Sequence, residues 1–313
     1  MTPAKPATHI TLPQLIRLQA DARALKLPAA KQVRTRQAGL QRSPRRGRGM
    51  AFAEVRQYQP GDDIRSIDWR VTARRQSPHT KLYEEERERP VLLLCDLGSS
   101  LFFASTGAYK QVRCAQLAGI LAWLALWSGD QVGGIVFDGK NLSVQRPARR
   151  KKSVLRFLDT LASLQRISSQ DIETPADSQK ADLDTALSEA RRVAHTGSRI
   201  FVISDFMHLS ENTSRLLGSL ARHNTVSALR VVDPLEIKLP DTGRFAIAGE
   251  DGPVWFDGSN PRFQRAYADK VAGHKALLDE CFRTAGVKPA TVMTGDEPAV
   301  ALQTLLGPRG QIG

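Results

Sequence analysis

The 313-residue chain is 41% hydrophobic and 25% charged, enough to bury a full core in one or two domains and incompatible with a disordered or fibrous protein. Its formal net charge of +13 sits mostly at one end: residues 1–50 hold eleven Lys or Arg, among them Arg34, Arg36, Arg42, Arg45, Arg46 and Arg48, against the single acid Asp21. The basic character thus belongs to an N-terminal arm over 1–50, whose partner is expected to be acidic: nucleic acid, an anionic membrane surface or an acidic protein face.

Order is expected from Thr11, where Leu12, Leu15, Ile16 and Leu18 give a short apolar helical face. An Arg-, Gly- and Pro-rich stretch without a core of its own then runs to Met50. Beyond Pro90, short apolar runs alternate with longer helical stretches, the pattern of a parallel sheet with crossover helices. Val91–Cys95 reads as a buried strand, 107–127 as a long apolar helix, 131–138 as a second strand and 142–146 as an edge strand hairpinned to it. Helices near 151–164 and 182–194 precede a buried strand at 199–204, a helix at 211–223 and a strand at 226–232. The segment 244–256 alternates around Gly249 and Gly252 and reads as an inserted β-hairpin. A helix at 263–285, a strand at 287–293 and a closing helix at 298–305 complete the chain.

The cysteines Cys95, Cys114 and Cys281 are odd in number and lack C-x-x-C spacing, so buried free thiols in a reducing, cytoplasmic compartment are expected. No apolar signal core precedes the first helix, and the run Ala115–Trp127, broken by Gln116, is too short to span a bilayer.

In open α/β sheets, ligands gather at the carboxyl ends of the strands. Two strands deliver an aspartate there: Asp96 after Val91–Cys95, and Asp205 after Ile200–Ser204, each flanked by hydroxyl side chains (Ser99, Ser100, Ser204). Paired carboxylates with hydroxyls and water suit Mg²⁺. The competing reading makes both residues caps of the helices that follow. A second cluster, Tyr58 to Arg70, packs Asp62, Asp63, Arg65, Asp68 and Trp69 into thirteen residues. Its acids could hold metal for a hydrolase, or serve as turn and N-cap residues paired with arginines, and no histidine lies among them as a base. The run Arg149-Arg150-Lys151-Lys152 stands at a helix start, where cations oppose the dipole.

The stretch Gly47-Arg48-Gly49-Met50-Ala51-Phe52-Ala53-Glu54-Val55-Arg56-Gln57-Tyr58-Gln59-Pro60-Gly61-Asp62-Asp63-Ile64-Arg65-Ser66-Ile67-Asp68-Trp69, continued by Arg74, Glu86 and the Asp96 strand, resembles the domain of unknown function fifty-eight family. That family accompanies MoxR-type AAA+ ATPases. The resemblance extends over roughly residues 12–235, through Ile203-Ser204-Asp205-Phe206. It implies a von Willebrand factor A-like, Rossmann-type α/β domain at 90–313, with the hallmark segment 51–89 packed on it from its N-terminal side. It also implies a metal-ion-dependent adhesion site in which Asp96, Ser100 and Asp205 match expected ligand positions. Gly98 stands where that pattern has a Ser, and Ala181 and Asp182 stand where it has a Thr, with Asp182 as the substitute ligand and Thr185 nearby. The role implied is a non-enzymatic adaptor of a MoxR-type ATPase; a hydrolase built on Asp62, Asp63 and Asp68 and a nucleic-acid binder working through residues 31–48 are the alternatives.

Overall fold

The structure, a computed structural model, describes residues 6–27, 50–59, 64–85, 89–165, 181–249 and 252–306. The chain divides into two compact units, 1–33 with 89–313 and, separately, 34–88. The boundary drawn from charge at residue 50 therefore differs from that of the fold, because the apolar face at Leu12–Leu18 belongs to the larger unit.

The larger unit is built on a six-stranded sheet of β3 (Pro90–Asp96), β4 (Gln131–Phe137), β5 (Leu142–Ala148), β6 (Arg199–Ser204), β7 (Thr225–Val232) and β10 (Pro289–Met293). Its spatial order is β10-β7-β6-β3-β4-β5, and all pairs are parallel except β4 with β5, the expected edge hairpin. This is the mostly parallel α/β sheet flanked by helices that the alternation predicts. The strands read as unbroken apolar runs because helices cover both faces: every residue of β6 is buried.

One face carries α4 (Lys110–Trp127), which is buried nearly all round. A helix that is apolar on every side must be covered on every side. Here α5 (Lys151–Ser163), α10 (Pro298–Leu306) and the short α1 (Leu12–Arg17) and α2 (Gln19–Arg23) complete the cover. Leu15 and Ala22 are fully buried, and Trp123 Nε1 donates to the Leu15 carbonyl at 3.2 Å. The helices approach closely at Gly119, where a Cβ would lie 3.4 Å from both Leu15 Cδ2 and Leu18 Cδ1. The other face carries α6 (Leu183–Val193), α7 (Glu211–Ala221) and α9 (Pro261–Ala285), with Leu187, Leu217 and Phe282 in its core. Between β7 and α9 lie the one-turn helix α8 (Pro234–Ile237) and the hairpin β8 (Arg244–Gly249) and β9 (Gly252–Asp257), close to the expected insertion. All three cysteines are free and buried. No helix among the described residues is long and apolar enough to cross a membrane.

In the smaller unit, β1 (Met50–Gln57) pairs antiparallel with β2 (His79–Glu85), with a register shift between Phe52 and Glu54. Helix α3 (Trp69–Arg75) is joined to the hairpin where Asp68 N–H donates to the His79 carbonyl at 2.8 Å. Sequence pattern left this hairpin and helix unassigned.

Candidate functional site at the carboxyl edge of the sheet

The chain leaves β3 for β4 on one side of the sheet and, after crossing, leaves β6 for β7 on the other, so the β3/β6 junction is the topological switch point. Parallel register sets Cys95 beside Ile203 there, which brings Asp96 and Ser204 together. Ser204 Oγ donates to Asp96 Oδ2 at 2.6 Å, and Gly98 N–H donates to Asp96 Oδ1 at 2.8 Å. Half-buried, with Asp205 close by, Asp96 is pushed up to about 7: burial is the larger cause and the Asp205 charge the second, and the Ser204 and Gly98 hydrogen bonds only partly oppose them. Ser99, Ser100 and Leu101 form a single 3₁₀ turn after Gly98, with Ser99 exposed and Ser100 half-buried.

Asp205 belongs to a different arrangement. Its Oδ2 accepts from Lys110 Nζ at 2.7 Å, and the same ammonium donates to Glu236 Oε1 at 2.5 Å. Lys110 opens α4 and is fully buried, which by itself favours the neutral amine. The charges of Asp205 and Glu236 and their hydrogen bonds outweigh that, so the lysine is held above its ordinary range and stays an ammonium. Glu236 Oε2 in turn accepts from Asp233 N–H at 2.9 Å. Asp233, at the end of β7, accepts at Oδ1 from Ser105 Oγ (2.6 Å) and Leu235 N–H (2.9 Å), and at Oδ2 from Ser105 N–H and Thr294 Oγ1 (both 2.7 Å). Burial would raise this carboxyl, but these donors hold it below its ordinary range. One network thereby ties the ends of β6, β7 and β10 to the start of α4.

The loop after Asp205 is strained. Phe206 sits at φ 54, in the left-handed region, for an expected cost on the order of 1 kcal/mol. Its ring is buried edge-on against Phe282 at 5.1 Å, while Phe206 N–H donates to Ser204 Oγ at 3.0 Å and Met207 N–H to Asp205 Oδ1 at 3.1 Å. The turn puts Met207 and His208 at the exposed rim. Behind it, Arg230 shares the register position of Ser204; Arg230 Nε and His274 Nε2 of α9 are buried without a partner among the described residues.

Asp96 and Asp205 thus meet at one edge, and the capping alternative fails for Asp205, since α7 is capped by Ser210. Asp182 caps α6, its Oδ1 accepting from Thr185 N–H at 2.9 Å and Thr185 Oγ1 at 2.8 Å. Lys110, Glu236 and Asp233 were missed by sequence reasoning. Asp233 carried the same signal as the other two, an acid directly after a buried strand, and Lys110 was a cation at the head of an apolar helix.

These residues fit a divalent cation poorly. Both oxygens of Asp96 are turned to protein donors, and an ammonium already rests on Asp205. Gly98 is more than a missing hydroxyl: a Cβ there would lie 3.0 Å from Asp96 Oδ1, so a serine would crowd the carboxylate in this orientation. Among the described residues, no group of three or more His, Cys, Asp or Glu side chains is placed to hold a metal ion.

In the second cluster, Asp68 caps α3, its Oδ1 accepting from Arg70 N–H at 3.0 Å and Val71 N–H at 3.3 Å, while Arg65 and Trp69 are exposed, the latter by 68%. Asp62 and Asp63 lie outside the described residues, as does the basic stretch 31–48.

The uncharacterized protein Rv1480 of Mycobacterium tuberculosis is 29% identical over 250 residues, which cover 79% of this chain and 76% of that protein. The uncharacterized protein YeaD of Bacillus subtilis is 26% identical over 164 residues, 51% of this chain and 36% of that one. Among solved structures, the conserved hypothetical protein BatB from Bacteroides thetaiotaomicron aligns with a TM-score of 0.37 at 16% identity, covering 63% of this chain and 99% of that one. The SpRpn10 VWA domain aligns at 0.36 and 9% identity, covering 72% and 98%. Superpositions this loose carry no argument about site or activity. The family described as Protein of unknown function DUF58 matches residues 54–277, beginning later than the expected resemblance and running beyond it, through the hairpin into α9. With well over half its length matched, the chain belongs to the DUF58 family.

Proposed function

We propose that the chain is a non-enzymatic protein-interaction module that presents the carboxyl edge around Asp96 and Asp205 to its partner. The observation that carries this reading is the construction of that edge. Its charged groups are spent on one another, Lys110 on Asp205 and Glu236, so the edge is rigid and offers a shaped rim of Ser99, Met207 and His208. An edge whose carboxylates already have partners suits docking, which rewards preorganised surface. The partner proposed is a MoxR-type AAA+ ATPase, on the strength of the family's association with such enzymes, and the compartment is the cytoplasm, where free buried cysteines such as Cys95, Cys114 and Cys281 are at home.

The test is binding of a purified MoxR-type ATPase from the same genome to the full chain and to Met207→Arg. Met207 is 41% exposed, so the substitution should leave the melting temperature unchanged. A fall in affinity of tenfold or more is expected, as for a contact near the centre of an interface. Equal affinity for the two chains would sink the reading.

A further inference from the structure

We propose that the ε-ammonium of Lys110 is the resident cation of the carboxyl edge, standing in for a divalent metal, so that this edge works without one. The case begins with charge. Asp96, Asp205 and Glu236 converge on one corner, and clustered carboxylates away from bulk water need a counter-charge. A hard dication is one solution and a buried ammonium is another.

Lys110 meets the geometric demands of the second. Its side chain is fully buried, reaches Asp205 at 2.7 Å and Glu236 at 2.5 Å, and approaches from α4, an element that the core fixes on every side. It offers three donors and no lone pair, so a metal cannot share its position. The remaining groups are arranged to match. Asp96 spends one oxygen on Gly98 N–H and the other on Ser204 Oγ, and a Cβ at position 98 would crowd that carboxylate at 3.0 Å. Asp182, the substitute ligand on the neighbouring loop, is committed to Thr185.

This inference concerns the same edge as the docking reading and adds that docking there needs no metal. Its test reads ion binding, so either idea can fail without the other. Mn²⁺, a spectroscopic stand-in for Mg²⁺, is titrated into the full chain and followed by calorimetry and by electron paramagnetic resonance. The wild type is expected to show no site at this edge tighter than about 1 mM, the weak limit of protein sites for such cations. Lys110→Ala, which leaves the carboxylates uncompensated, is expected to gain Mn²⁺ affinity by at least tenfold. Wild-type binding tighter than that limit and lost in both Asp96→Asn and Asp205→Asn would overturn the proposal, as would a folded Lys110→Ala chain that gains no affinity. Binding unaffected by those two asparagine variants lies elsewhere and leaves the proposal standing. Should Lys110→Ala fail to fold, the wild-type titration with its asparagine controls decides alone.

Discussion

At the end of β3, Asp96 is held by a neutral hydroxyl and a backbone N–H; one strand away, at the end of β6, Asp205 is held by a buried ammonium. The two share an edge, one residue apart in register, yet the fold assigns them opposite tasks. Asp96 has no direct cationic partner and is pushed up to about 7, while the Asp205 corner keeps a full ion pair away from water and extends it through Glu236 to Asp233. Strand-end position brings an acid to the edge, and the group that meets it there, a hydroxyl from the next strand or an ammonium from α4, decides whether it stands apart from charge or joins an ion pair.

The sharpest way to break that contrast is to remove the ammonium. Lys110→Met keeps the volume and strands two carboxylates, for an expected loss of about 3–5 kcal/mol in denaturant unfolding at pH 7. The double variant Lys110→Met/Asp205→Asn should recover a substantial part of it; a double variant no more stable than the single would mean that packing, rather than charge, dominates at Lys110. Asp96 should behave in the opposite sense. A carboxyl whose folded value lies above its ordinary 3.8 contributes stability that is present in full below about 3.8 and is lost as the pH rises through about 7. Asp96→Asn, which cannot ionise, should therefore be the more stable chain at pH 8 by roughly 2 kcal/mol. That is less than the full ~1.4 kcal/mol per pKa unit implies, because the amide loses one acceptor. The advantage should vanish by pH 4, and melting curves with parallel pH dependence for the two chains would contradict it. The smallest effect is expected in the smaller unit, where Asp68 is a helix cap: Asp68→Ala should lower the stability of that unit by about 1 kcal/mol, and a much larger loss would point to a task beyond capping.

Much of the sheet was legible because its strands are apolar throughout and its helices long. Arg199–Ser204 was placed to the residue, and the antiparallel edge of β4 and β5 followed from the short turn between them. Asp96 and Asp205 were found because strand ends can be read locally. Their partners were not: Lys110 is 95 residues from Asp205 and 126 from Glu236, and no spacing rule links them. Gly98 was legible only in part, for a related reason. In sequence it is an absent hydroxyl, whereas in the fold its N–H holds the carboxylate and its missing Cβ makes the room. The β1–β2 pair escaped because its strands lie amid charged and glycine-rich sequence and are joined by a long connection containing a helix, which dilutes the period.

The short helices α1 and α2 change what the family boundary means. The match begins at residue 54, but the ridge of Leu15 and Ala22 that seals α4 lies well upstream of it. The segment that the family description matches and the segment that folds are therefore different objects: cutting at the former would leave α4, which is buried nearly all round, open along one side.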